Sequence, residues 1–230
     1  MADDFHTWVQ GRITLAKRLN EGQCGGSYGD AMLILSAILS GLVADLWPGE
    51  GKDRKRFVEI WATYSRQNLN PNLISVPLLL GFLEKQGDAD LVEKVRNTNP
   101  QAFPPWKIDD VTVTGQQVDK TEDELIHLDP TKLTSKKLRE FSYGNVFYRH
   151  VRSGYTHEYH TTDFASSVPR AGESAPVTYR NYLRPPQRRI YFDVTWVVEI
   201  VESVLPPVIA SSHKQPLPDP TTWWVDGYIK

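Results

Sequence analysis

Residues 27–46, SYGDAMLILSAILSGLVADL, decide how this chain folds. Apolar side chains occur nearly all the way round the helical wheel of this stretch, the mark of a helix surrounded by protein on every side. Ser27 or Asp30 opens it, and Trp47-Pro48-Gly49 stops it. Its uncharged run, Ala31 to Ala44, is short for a bilayer and is closed at both ends by aspartate. A central core helix is therefore expected, in a cytoplasmic protein with no membrane association. Such a helix needs others around it, which makes the chain mainly α.

The flanking sequence supplies them. Phe5, Trp8, Arg12, Leu15 and Leu19 recur at helical spacing behind Asp3 and Asp4, predicting a first helix that Gly22 and Gly25-Gly26 end. Asp53 is the expected N-cap of a third, through about Ser65, with Phe57, Ile60, Trp61 and Tyr64 buried. Ser75 and Pro77 start Leu78 to Lys85, and Gly87-Asp88 resets the chain into a short helix ending near Arg96. Asn97 to Gln117 reads as loop with one strand at Val111-Thr112-Val113. Asp119 to Asp129 reads as an exposed acidic connection. Thr134 or Ser135 caps a helix through Phe141, and Gly144 permits a bend before the next, Phe147 to Tyr159.

Beyond it the pattern changes. Val177 to Tyr182 and Arg189 to Phe192 are aromatic and β-branched around Arg184-Pro185-Pro186, predicting a hairpin at about 176–193. Val194 to Leu205 is a last apolar helix ended by Pro206-Pro207. The expected organisation is one domain over 1–205 and an extended Pro-rich tail over 206–230, which Trp223-Trp224 pin to the body.

Composition narrows the function. A net charge of −2 in 230 residues advertises no nucleic-acid binder, so any RNA contact must come from local patches: Lys52 to Arg56, Lys132 to Arg152 and Arg184 to Arg189. The first reading of each is a solvated face or loop. A single cysteine, Cys24, excludes an intramolecular disulfide and a cysteine-based zinc site.

The chemistry is concentrated in Arg152-Ser153-Gly154-Tyr155-Thr156-His157-Glu158-Tyr159. A guanidinium that never deprotonates can hold a phosphate, and a neutral imidazole can take the proton from a 2′-hydroxyl. The spacing R-x4-H is loose by itself; requiring Tyr two residues on narrows it about twenty-fold. On an ideal helix Arg152 and His157 project about 140° apart, so the arginine curls round, the helix bends, or a second subunit completes the site. The bland reading pairs Arg152 with Glu158 or Glu140 and gives His157 to the backbone. His150, His157 and His160, with Asp163, invite a metal reading, but His157-Glu158-Tyr159-His160 is one residue short of H-E-x-x-H, and no metal is assigned.

Tyr148 to Tyr159 resembles the R-x(4–6)-H signature of the HEPN superfamily, in the R-x4-H-x-Y form of its toxins. Trp8 to Tyr64 and Leu138 to Val201 are similar to HEPN-like proteins as well. The resemblance implies a helical bundle, here with a small hairpin inserted before the last helix, that dimerises through its motif helices into a composite, metal-independent ribonuclease site without cofactor. It implies that Arg152 binds the scissile phosphate and that His157 serves as general base or acid. Ser153, His150 and Glu158 would support them, and Arg149, Arg54, Lys55 and Arg56 would contact RNA. Tyr159 occupies the position that a partner nucleotidyltransferase antitoxin modifies in some toxin pairs. Ser153 departs from the family, many members having Asn, Asp or His directly after the arginine. The expected function is an endoribonuclease, in the setting of a toxin or phage-defence effector. The alternative is a catalytically silent HEPN-like dimer that binds nucleotide or a partner protein.

Overall fold

The structure is a computed structural model and describes residues 2–100, 113–167, 175–183, 186–212 and 223–225. It is mainly helical with a small antiparallel sheet. The central helix is α2 (Tyr28–Leu46), which touches α1 (Ala2–Asn20), α3 (Asp53–Glu59), α10 (Ser153–Glu158) and α11 (Val194–Ser212). Both candidates for its start act together. The Asp30 N–H donates to Ser27 Oγ, and Asp30 Oδ2 accepts the Ser27 N–H at 2.9 Å, forming a reciprocal capping box. By length and composition α2 and α11 could each cross a bilayer, and 56% of each apolar window is buried inside the protein.

Helix α1 buries Val9, Ile13 and Ala16 and not the expected stripe. Phe5 and Trp8 are 40% and 50% exposed, stacked on each other at 6.2 Å with Arg12 over the indole at 5.4 Å. Val9 lies only 100° round from Trp8, so the two apolar stripes are adjacent, and the smaller one allows closer approach to α2. Asp53 is the first residue of α3, Lys52 holding the cap position without a side-chain bond. The helix continues through a π turn (Ile60–Tyr64) that buries Ile60 and Trp61.

Helices α4 (Val76–Gln86) and α5 (Ala89–Arg96) start at Ser75 and Asp88, whose side chains accept from Leu78 N and Leu91 N. Gly87 between them holds φ 74, a left-handed value that suits glycine. Strand β1 is Val113–Thr114; Val111 and Thr112 lie outside the described residues. It pairs with β2 (Val177–Leu183), which pairs with β3 (Pro186–Phe192), so the expected hairpin carries a third strand. Tyr179 sits opposite both Val113 and Ile190. The Arg184-Pro185 turn lies outside the described residues.

The acidic connection is not simply exposed. It follows α6 (Gly115–Val118), contains α7 (Glu122–Ile126) and buries Asp119 and Leu125. After α8 (Ser135–Arg139), capped by Thr134, comes α9 (Tyr143–Phe147). Gly144 makes no bend before the motif helix: it lies inside α9, where a Cβ would come within 2.7 Å of the Trp61 ring. Its role is close packing of two helices.

Pro206 and Pro207 do not end the last helix. α11 runs on to Ser212, with Val204, Leu205 and Val208 buried around the prolines, so core packing overrides the two missing N–H donors. A boundary at residue 205 therefore fails. Trp223 packs edge-on against Trp47 at 5.5 Å within the main core. The Trp224 N–H donates to Glu59 Oε2 at 2.5 Å, and Arg139 covers the Trp224 ring at 4.6 Å. The intervening Pro216, Pro218 and Pro220 lie outside the described residues.

Candidate functional site

The motif occupies one continuous helical stretch: α9, a π turn (Tyr148–Arg152) and α10. Phe147, Val151 and Tyr155 face the core. The π turn closes at Ser153, whose backbone N–H and hydroxyl both donate to Tyr148 O, the hydroxyl at 2.8 Å. Gly154 is buried because the chain returns over it, His160 O occupying the space a Cβ would need.

Arg152 is half-buried. Its guanidinium lies over the Tyr148 ring at 4.9 Å, and its Nε donates to Ser40 Oγ on α2 at 3.4 Å. It takes neither carboxylate of the bland reading. Glu158 meets His160 at 3.4 Å, and Glu140 is shared by Arg54 at 3.0 Å and Arg149 at 2.9 Å. Among the described residues Arg152 has no carboxylate partner.

His157 is exposed and makes no hydrogen bond to a described residue. Arg152 ends the π turn and caps α10, which carries His157, and ideal helical geometry separates the two side chains by about 140°. The structure thus places Arg152 against α2 and His157 toward solvent.

The supporting residues divide. Ser153 spends its hydroxyl inside the π turn. Glu158 is exposed beside His160. His150 is packed on Phe164 with ring centroids 5.0 Å apart, its Nδ1 2.8 Å from Thr162 Oγ1. Burial, and secondarily the Arg149 charge, push its pKa down to about 4, so it is neutral at physiological pH.

Tyr159 lies at the C-terminal end of the helix. It takes φ 57, ends α10 and is 63% exposed, with its hydroxyl donating to Asp30 Oδ1. The carboxylate raises the phenol's pKa in return.

Of the basic residues, Arg54 bonds to Asn145 Oδ1 at 2.8 Å as well as to Glu140, tying α3 to α9. Its side chain remains 23% exposed and that of Arg149 48%. Lys55 is half-buried with partners of its own. Arg56 is no RNA contact: it is 2% exposed, donates to Gly49 O and meets Asp53 at 3.5 Å, because α3 turns it inward under the Trp47-Pro48-Gly49 turn. Among the described residues no three His, Cys, Asp or Glu side chains converge to hold a metal ion.

A second polar cluster escaped the sequence reading. Buried Asp119 accepts from Val76 N at 3.0 Å through Oδ1, and its Oδ2 takes the hydroxyls of Tyr143 at 2.5 Å and Tyr179 at 2.6 Å. Burial outweighs these donated bonds and raises its pKa to about 7. The cluster joins α4, α9 and β2 and is closed by Gly115, where a Cβ would strike the Tyr143 hydroxyl. An open cleft of about 220 Å³ nearby is lined by Asn70, Gln116, Tyr143, Trp196 and Glu199 among others, and neither Arg152 nor His157 reaches it.

The chain matches no protein-family model, no curated protein and no solved structure.

Proposed function

We propose that this chain is a metal-independent endoribonuclease of the HEPN type, acting in the cytoplasm as a homodimer without cofactor, in the setting of a toxin or phage-defence effector. One observation carries the reading: Arg152 is held half-buried with no carboxylate partner among the described residues, while Arg54 and Arg149 are ion-paired. An unpaired guanidinium can take the charge of a phosphate in the reactant and of a phosphorane-like transition state. His157, exposed on α10, can remove the 2′-hydroxyl proton or return one to the leaving oxygen. The 140° between them calls for Arg152 of one protomer to work with His157 of the other. Arg149 and Arg54, which share the single carboxylate of Glu140, leave net positive charge for the RNA backbone. Exposed Tyr159 suits modification by a nucleotidyltransferase-type partner.

The test is RNA cleavage by the purified protein in EDTA, with analysis of the ends. Cleavage that persists and leaves 2′,3′-cyclic phosphate, and that falls about 10²-fold in Arg152→Ala, supports the reading. Activity lost to chelator and restored by zinc overturns it.

A second reading has its own observation. The Ser153 hydroxyl is bound to Tyr148 O and cannot assist the reaction as Asn, Asp or His would. A firm dimer that cleaves no RNA but binds nucleotide or protein would favour the silent alternative.

A further inference from the structure

Arg152 differs from its neighbours in which part of its guanidinium is occupied. A carboxylate partner uses the edge of the guanidinium, where the N–H donors lie, as Glu140 does to Arg54 and Arg149. An aromatic partner uses the face and leaves the in-plane donors directed outward. Arg152 has an aromatic partner, its Cζ lying over the Tyr148 ring 4.9 Å from the centroid, and its one hydrogen bond among the described residues runs from Nε to Ser40 Oγ at 3.4 Å. The ring is itself fixed. Tyr148 is half-buried against Phe57, centroids 5.3 Å apart at 60°, and its carbonyl takes two bonds from Ser153.

We propose that Tyr148 is a positioning residue for Arg152: its ring holds the guanidinium by the face and keeps the N–H edge free for a phosphate of RNA. The proposal rests on the ribonuclease reading above. Tyr148 acts through Arg152 alone, and the property that matters is the π face, not the hydroxyl. Half-burial raises the Tyr148 pKa, so the phenol stays neutral and does not bind the guanidinium as an anion. Without the ring, the long arginine side chain is free to fold toward Glu140, whose carboxylate already serves two guanidinium groups.

A double-mutant cycle tests this. Tyr148→Leu should lower kcat/KM for RNA cleavage about 10- to 100-fold, the effect of misplacing a group that holds the phosphate in the reactant and in the transition state. Tyr148→Phe should restore activity to within about three-fold, since the face is kept. In an Arg152→Ala background, Tyr148→Leu should add nothing. Tyr148→Met, apolar and without a π face, replaces leucine if that variant unfolds. Additive losses in the cycle, or phenylalanine as damaging as leucine, would overturn the proposal.

The binding arm separates this idea from the ribonuclease reading. A short fluorescein-labelled single-stranded RNA is titrated against the full chain carrying His157→Ala over a range of salt. Arg152→Ala should reduce the salt slope by about one, the signature of one lost phosphate contact, and Tyr148→Leu should reproduce that reduction. If wild type cleaves nothing, the ribonuclease reading fails while this arm still decides. A slope unchanged by Tyr148→Leu but reduced by Arg152→Ala sinks the positioning role.

Discussion

The hydroxyl of Tyr159 donates to Oδ1 of Asp30, tying the residue that ends the motif helix to the capping box that begins the central helix. The Asp30 carboxyl is held below its usual range, first by Ser27 and second by Tyr159. A carboxyl depressed in the fold contributes stability above its unfolded pKa and loses it as pH falls through the folded one. The contact is therefore an acid-sensitive link between α2 and α10.

Removing the phenol oxygen in Tyr159→Phe should leave RNA cleavage within a few-fold, since neither the proposed base nor the proposed phosphate contact is touched. A bulky anionic group on that oxygen should instead abolish both the Asp30 bond and RNA binding by charge repulsion. Parallel assays of Tyr159→Phe, Arg152→Ala and His157→Ala decide it. Equal loss in all three, with the dimer intact, would make the tyrosine catalytic.

The proposed composite site predicts complementation. Arg152→Ala and His157→Ala should each be nearly inactive alone. After mixing and exchange of subunits, half of the dimers are hybrids with one intact site each, so about a quarter of wild-type activity should return. No recovery from a verified hybrid dimer would place both groups in one protomer.

Asp119 sets a pH dependence of the opposite sense. Its folded pKa, about 7, lies above the ordinary 3.8, so its contribution is complete below the unfolded value and is lost as pH rises toward 7. In urea unfolding between pH 4 and 8, wild type should weaken relative to Asp119→Asn as pH rises. Tyr143→Phe removes a donor to the ionised form and should move the transition to higher pH. A pH-independent difference between wild type and Asp119→Asn would show that the carboxyl does not titrate in this range.

Arg56 and Arg149 separate stability from RNA affinity. Arg56→Ala leaves the Gly49 carbonyl without its donor beneath the Trp47 turn and should cost about 1–3 kcal/mol of stability. Arg149→Ala, on an exposed side chain, should leave unfolding almost unchanged and weaken RNA binding in low salt more than in high. Chemical unfolding beside anisotropy titration checks both.

Which parts were legible in the sequence follows from the range of the forces involved. Helices α2, α4, α5 and α8 announce themselves because their caps, Ser27, Ser75, Asp88 and Thr134, act within three residues. The pairing of β2 with β3 was similarly local. What depends on distant partners was hidden. Asp119 looks like any member of an acidic run until Tyr143 and Tyr179 arrive from other elements. Arg56 looks like its exposed neighbours until the turn before it closes above. Gly144 reads as a hinge unless Trp61 is known to lie against it. At the candidate site the residue types were readable. The seating of Arg152 on Tyr148, the loss of the Ser153 hydroxyl and the tether of Tyr159 to Asp30 were not, since each depends on a π turn or a left-handed helix end that pattern reasoning does not resolve.

The contact between Trp47 and Trp223 also orders events during synthesis. One indole emerges early, with the central helix. Its edge-on partner follows only after the motif helix, the sheet and α11 have been made. Until then the apolar side of Trp47 lacks its cover, and the nascent chain carries an unsealed aromatic surface open to chaperones or to another unfinished copy. Ribosomes stalled before Trp223 would thus display a sticky, incompletely closed bundle, and emergence of Trp223 is the step that covers Trp47.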